Sequence, residues 1–371
     1  MKVVIEKSIL LKAMAHAQGV VEKKAVSPIL SNVLLKAADH ALTITATDLD
    51  VSIVESLKAK VEDEGVTTVS AHTFYEVVRK LPDGPIELSE TTDTNQLAIK
   101  SGKSKFYLPV LPAKDFSTLK TANLPHSFSL KAAELKYLIN STSFAMSLEE
   151  TRYTLNGIYL HTKSVDTGSV LRAVSTDGHR LALADMEEPK GAAGMPDVII
   201  PRKTIVELSK LLEDATDEVE VSLSLTQITF AMNGVVLASR LIDGTFPDYE
   251  KVIPTDNDSV LTVDSKKFSA AVDRVATISD EKTRGVKLTV EPQKIIVSAS
   301  SVDQGNATEE VEAIYTGKRL LVAFNVRYLL NIAQQLENDN LVFHLADESA
   351  PAIIKGGAGD GTLYVLMPMR L

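Results

Sequence analysis

The sequence predicts an α+β chain of three similar domains, each combining antiparallel strands with two helices. Three observations lead there. An extended run that passes into an amphipathic helix occurs three times, the strands that follow alternate in polarity with hairpin-like spacing, and a second helix returns at the same place in every copy.

The three openings are VVIEKSILLKAMAHAQ from Val3, FSLKAAELKYLINSTS from Phe128 and LTVDSKKFSAAVDRVAT from Leu261, and aligning Leu10, Leu135 and Phe268 gives offsets of 125 and 133 residues. Next come LTITATDLDVSIVE from Leu42, VLRAVSTDGHRLALAD from Val170 and IIVSASSVDQGNATEEVEA from Ile295, where Val, Ile and Thr at period two suit strands with one buried face. The second helices read AHTFYEVVRKLPDG, RKTIVELSKLLEDA and NVRYLLNIAQQLEND, with Phe74, Ile205 and Tyr328 in corresponding positions. Each copy closes with strand: QLAIKSGKSKFYLPVL, QITFAMNGVVLASRLI and GTLYVLMPMRL. The turn- and proline-rich breaks LPAKDFSTLKTANLP and IDGTFPDYEKVIPTDNDS set domains at 1–122, 123–253 and 254–371, each expected to pair a sheet with a two-helix layer. Units this long are not those of a solenoid.

With 371 residues, 44% of them hydrophobic, the chain can bury a substantial core. Its 49 acidic against 39 basic residues leave a net charge of -10, which on average disfavours a nucleic-acid partner, although an acidic whole can hold a basic stripe inside a ring or groove. The absence of cysteine removes disulfides, thiolate nucleophiles and most structural zinc sites. The N-terminal run carries Glu6 within its apolar part and reads as structure, not as a signal peptide, and no apolar run approaches the roughly 20 residues of a membrane helix.

STDGHRL, at 175–181, places a hydroxyl, an aspartate and a histidine close together. The repeats test the catalytic reading. Thr47-Asp48 stands at the related place in the first copy, followed by Leu49 and Asp50, and Ser301-Val302-Asp303 in the third, so what recurs is a turn, and His179-Arg180 belongs to the middle copy alone. No partner completes a nucleophile, base and orienter set around Asp177 and His179. Asp48, Asp50, Asp177 and Asp185 lack the density of a calcium loop, and GGAGDG at 356–361 lacks the Lys-Ser/Thr and the following helix of a phosphate loop. No catalytic residue, metal site or cofactor is expected.

Cations gather in or beside the six helices: Lys12, Arg79, Lys80, Lys136, Arg202, Lys203, Lys210, Lys266, Lys267, Arg274 and Arg327, with Lys23 and Lys24 in the loop after the first. Taken alone, a solvated helix face accounts for them better than a ligand does, since Glu76, Glu134 and Glu207 share these helices. Lys100, Lys103 and Lys105 late in the first copy oppose in sign Glu309, Glu310 and Glu312 late in the third, a pattern that fits head-to-tail joining of two chains into a closed ring.

The chain resembles the bacterial DNA polymerase III β subunit family, the sliding clamps. The resemblance rests on SPILSNVLL at 27–35, RYTLNG at 152–157, STDGHRLA at 175–182, PRK at 201–203, LIDGTFPDYEKVIP at 241–254, EKTRGVKL at 281–288, FNVRYLL at 324–330 and YVLMPMRL at 364–371, in order along all three copies. It implies a clamp fold in which a head-to-tail homodimer encircles duplex DNA without reading its sequence, helices inward and sheets outward, in the cytoplasm. Implied partners are the polymerase III α subunit, the clamp loader, and other DNA polymerases and repair proteins that carry clamp-binding peptides; a protein scaffold that does not encircle DNA is the alternative. By resemblance the DNA-facing residues are Lys24, Arg79, Lys80, Arg202 and Lys203, with Glu149 where the family often has a neutral amide. The partner groove would take Leu155, Thr176, Gly178, His179, Arg180 and Leu181, with His179 and Arg180 framing its rim. To these it adds Pro247, Lys251 and Val252, then Thr283, Asn325, Tyr328, Met367, Pro368, Met369, Arg370 and Leu371. Lys251 stands where arginine is common, and Thr283 where an aromatic can stand. Phe106, Leu108 and Ile278 are the apolar candidates that join the charged series at the dimer interface.

Overall fold

The computed structural model describes residues 1–22, 27–91, 95–119, 123–166, 168–215, 217–279, 284–337, 339–357 and 361–370. Lys24, Thr283 and Leu371 therefore lie outside the described residues.

The first repeat runs β1 (Lys2–Glu6), α1 (Lys7–Val20), β2 (Asn32–Ala38), β3 (Ala41–Thr47), β4 (Val51–Lys58), β5 (Lys60–Asp63), β6 (Gly65–Ser70), α2 (Ala71–Lys80), β7 (Pro85–Thr91), β8 (Gln96–Ser101) and β9 (Ser104–Pro109). The second runs β10 (His126–Lys131), α3 (Ala132–Ser143), β11 (Gly157–Val165), β12 (Gly168–Thr176), β13 (Arg180–Glu187), β14 (Val198–Pro201), α4 (Arg202–Glu213), β15 (Glu218–Leu223), β16 (Gln227–Met232) and β17 (Val235–Arg240). The third runs β18 (Ser259–Asp264), α5 (Ser265–Ala276), β19 (Gly285–Glu291), β20 (Lys294–Ser301), β21 (Gly305–Tyr315), β22 (Leu320–Asn325), α6 (Val326–Gln335), β23 (Asn340–Leu345), β24 (Ala352–Gly356) and β25 (Thr362–Leu366).

Local chemistry explains these elements. Helix α1 buries Leu10, Ala13, Met14, Ala17 and Val20, and α5 buries Phe268, Ala271, Val272 and Val275, each a stripe spaced by three and four. Helix α6 starts where the Asn325 side-chain oxygen accepts from the Arg327 and Tyr328 amides at 2.9 and 3.3 Å. In β4 the side chains of Ile53, Glu55 and Leu57 point inward and those of Val54, Ser56 and Lys58 outward. The inward Glu55 is satisfied by the His16 imidazole at 2.9 Å.

One expectation changes. The strands of a repeat do not form one sheet over two helices: the first repeat divides its strands between a five-stranded sheet, β5-β1-β7-β8-β9, and an eight-stranded sheet, β10-β15-β16-β17-β4-β3-β2-β6. The second sheet runs on into the second repeat because β17 pairs antiparallel with β4, setting Leu237 opposite Ile53. In the same way β25 pairs with β13, setting Tyr364 opposite Ala182, within the order β11-β12-β13-β25-β24-β23-β18-β21-β20-β19-β22. Period-two alternation shows which side chains face a core, but it carries no information about which distant strand pairs with which. The chain consequently divides into two compact units, 1–136 with 189–242 and 137–188 with 243–371, with the second repeat shared between them.

Candidate functional site

The turn after β12 is built by its own side chains. Asp177 Oδ1 accepts from the His179 and Arg180 amides at 3.0 and 3.1 Å, and the Thr176 hydroxyl donates to the Arg180 carbonyl at 2.6 Å. The first repeat reproduces this wiring, with Asp48 Oδ1 accepting from Asp50 and Val51 and the Thr47 hydroxyl donating to the Val51 carbonyl. Four residues, 177–180, separate the paired Thr176 and Leu181, and the last of them, Arg180, already opens β13. Gly178 sits at φ +88, and a Cβ there would meet Arg152 Nη1 at 2.8 Å. Arg152 in turn donates to the Asp177 carbonyl and pairs with Glu149 through Nε at 3.0 Å.

Arg180 lies beneath the surface and does not frame the rim. Its side chain is 10% exposed, donates to Asp177 Oδ2 at 3.1 Å, Asn331 Oδ1 at 2.8 Å and the Phe144 carbonyl at 2.5 Å, and stacks 4.4 Å from the Tyr328 ring centre. Phe144 and Asn331, absent from the sequence reading, are what hold it, and nothing in their spacing announces that role. Exposed His179 stacks on Tyr328 with ring centres 6.1 Å apart, and burial, reinforced by the Asp177 carboxylate, raises the Tyr328 phenol above its usual pKa. Replacing Arg180 with alanine is expected to cost about 2–4 kcal/mol, because Asp177 and Asn331 lose their donor in a part-buried site. Urea unfolding measures this, and a loss under about 0.5 kcal/mol, the range of an ordinary surface change, would contradict it.

His179, Asn325, Tyr328, Met367, Pro368, Met369 and Arg370 line one cavity of about 380 Å³. The tail enters it because the Met367 amide donates to the His179 carbonyl at 3.0 Å and then, past Pro368, the Met369 amide donates to the Ala323 carbonyl at 2.7 Å on the outer edge of β22. Leu155 and Leu181 are buried, at 8% and 2% exposure, and do not line this cavity. Pro247 and Lys251 are exposed, as is Val252, but none of the three lines this cavity. They flank Tyr249, whose hydroxyl meets Arg172 Nη1 at 3.2 Å and His161 Nε2 at 3.1 Å, while Arg172 grips Asp185 with two bonds of 2.7 Å. This arrangement can receive apolar side chains beside a polar, backbone-rich wall.

Of the DNA candidates, Arg79 and Lys80 lie on α2 and Arg202 and Lys203 on α4, both of which pack on α1, while Glu149 stands just before a 3₁₀ turn. Arg79 and Lys80 share Glu76 at 2.6 and 4.0 Å, and Lys203 Nζ lies 2.5 Å from Asp48 Oδ2. Arg202, at the start of α4, is exposed and makes no ion pair among the described residues.

At the interface candidates, β9 is an edge strand with Lys103 and Lys105 exposed, Phe106 40% exposed, its neighbour Tyr107 53% exposed and Leu108 half-buried. Residues 305–312 of β21 pair with β20 on one side, whereas β18 takes only Ala313–Tyr315 on the other. Lys100 is bound to Glu87, Glu309 to Arg274 and Glu310 to Lys294, so the two charge series are partly neutralised within the chain, while Glu312 is exposed and Ile278 half-buried.

Family models of the DNA polymerase III beta subunit match the chain from end to end: the N-terminal domain over residues 1–120, the central domain over 129–248 and the C-terminal domain over 250–370. The beta sliding clamp of Caulobacter vibrioides is 47% identical over 372 residues, covering 100% of both chains, and that of Escherichia coli is 35% identical over 374 residues with the same coverage. Among solved structures, the Caulobacter crescentus beta sliding clamp superposes with a TM-score of 0.97 at 47% identity, covering 100% of this chain and 99% of that one. The sliding clamp of Bartonella birtlesii bound to griselimycin superposes with 0.96 at 46% identity and full coverage of both. The chain therefore belongs to the DNA polymerase III beta subunit family, the sliding clamps, and acts as a non-catalytic processivity factor that encircles DNA and tethers the polymerase.

Proposed function

We propose that two copies of this chain close head to tail through β9 of one and β21 of the other. The observation that carries this reading is that the two joints inside the chain use one rule. The last strand of the second repeat (β17) pairs with β4 of the first, and the last strand of the third (β25) pairs with β13 of the second. The third pairing of the series, β9 with β21, is left unmade within one chain, and both strands present open edges. Phe106 corresponds to Leu237 by distance from the hairpin closures Ser101 with Ser104 and Met232 with Val235. Ala307 corresponds to Ile53 through the pairs Val297 with Glu309 and Ile44 with Glu55. The register carried over sets Phe106 against Ala307 of the partner subunit and Lys103 against Glu310 of the partner subunit. The repeats proposed at 1–122, 123–253 and 254–371 would then come round twice in one closed ring in the bacterial cytoplasm.

A closed ring need not grip DNA tightly to stay on it. Lys24, Arg79, Lys80, Arg202 and Lys203 supply phosphate contacts without sequence preference, and Glu149, paired with Arg152, adds no positive charge to them. Exposed ion pairs such as Arg79 with Glu76 are worth little and exchange readily for phosphate. Replacing Lys24 and Arg202 together by alanine should reduce the slope of log affinity against log salt by about 2, whereas Lys203→Ala should change it less, since Asp48 already neutralises that ammonium. Filter binding of unrelated duplexes from low to moderate salt reads this. An unchanged slope, or one preferred sequence, would contradict it.

The cavity at His179, Tyr328 and the tail is the groove for partner peptides of the polymerase α subunit, the clamp loader and repair proteins, with Leu155, Thr176, Gly178, Arg180 and Leu181 beneath and beside it. Pro247, Lys251, Val252 and Thr283 extend it, and Leu371 completes its tail. Retention on nicked circular DNA, with release on linearisation, tests the encircling ring as a whole.

A further inference from the structure

We infer a second docking site beside the groove, on the open edge of β22, that takes an extended acidic segment of the tethered polymerase next to its anchored peptide; the inference rests on the groove reading. In each repeat a residue two or three places past the last strand docks at one equivalent place on an edge strand. Leu111 exchanges bonds of 3.2 and 2.8 Å with the Thr68 hydroxyl on β6, the Ile242 amide donates to Ile199 on β14 at 3.0 Å, and the Met369 amide donates to Ala323 on β22 at 2.7 Å. In the first repeat the chain runs on into a 3₁₀ turn, Ala113–Asp115, which packs against β6 and covers it. Beside β22 the same place is a cavity of about 500 Å³, larger than the groove, with Leu321 47% exposed at its wall.

The first repeat thus shows that such an edge takes a short chain segment laid against it, Pro112 to Phe116. The cavity beside β22 has the chemistry for an acidic one. Leu321, Pro368 and Met369 offer apolar surface, and Lys287 and Arg370 are exposed cations without an ion pair among the described residues, against the single carboxylate of Glu348. The backbone of β22 is bonded along β19 on one side, while the other edge carries, among the described residues, the bond from Met369 and has room for strand addition. Pro368, Met369 and Arg370 line both cavities, so a peptide anchored in the groove reaches the second by crossing the tail.

The test titrates the full-length polymerase subunit, and separately a peptide trimmed to its apolar anchor, against Leu321→Glu, Lys287→Glu and Tyr328→Ala, with circular dichroism confirming that each variant is folded. Leu321 and Lys287 are exposed, so both variants should fold. Each is expected to weaken the polymerase about five- to tenfold while leaving the trimmed peptide unchanged. Unchanged polymerase affinity, or an equal loss for polymerase and trimmed peptide, would overturn the second site. Tyr328→Ala should weaken both ligands. If it weakens neither, the groove reading fails, and Leu321→Glu still decides the second cavity separately.

Discussion

A chain with Tyr107→Pro in β9 is expected to sediment as a monomer and to leave nicked circular DNA as fast as linear DNA. The two-residue loop Gly102-Lys103 closes on Ser104, so Ser104, Phe106 and Leu108 exchange bonds with β8 and the Tyr107 amide points to the open side. Proline is tolerated on the solvent side of an edge strand, so the fold should survive, but the incoming strand loses a bond and meets the ring where an N–H was. Because ring closure also buries Phe106 and Tyr107, the dimer should weaken by about two orders of magnitude or more. Sedimentation at micromolar concentration gives the mass, and thermal unfolding checks the fold. A stable dimer from a folded Tyr107→Pro chain would show that β9 is not the joint. Lys103→Glu with Lys105→Glu should do less, since Glu309 and Glu310 already have partners within the chain.

Deleting Met367 to Leu371 is expected to weaken polymerase and clamp-loader binding at least about 100-fold while sparing the fold, because methionine and proline surfaces contribute roughly 1.5–3 kcal/mol per well-buried side chain. Four of the seven residues that line the groove go with the deletion: Met367, Pro368, Met369 and Arg370. The loss to the fold is small by comparison. Leu366 keeps its places opposite Arg180 and Ala352, and the truncated chain gives up the amide bonds of Met367 to His179 and of Met369 to Ala323, each worth about 1 kcal/mol. Partner titration, with dimer mass and thermal unfolding as controls, decides the matter, and unchanged affinity in a folded, dimeric truncation would place the groove elsewhere. Arg180→Ala separates floor from wall: it should lower stability and partner affinity together, since the guanidinium supports the Tyr328 ring from below.

The amino-acid sequence by itself determined the threefold repeat, the buried stripes of the helices, the absence of thiol chemistry and, through its motifs, the family. These are local or periodic properties: Leu10, Leu135 and Phe268 mark equivalent buried positions in any fold that keeps three helices amphipathic. The wiring of the Asp177 turn was also within reach, since Thr47-Asp48 repeats it a domain away. Tertiary structure alone decided that β4 joins β17 and β13 joins β25, because strand pairing is a long-range choice on which side-chain alternation is silent. It also moved Arg180 from the rim to the floor, tied Lys203 to Asp48 and exposed Tyr107 and Leu321. In each case the cause is a partner distant in sequence, such as Asn331 for Arg180, or the lack of one, as at the open edge of β22, and the charge or polarity of a residue does not reveal which neighbour folding will bring to it.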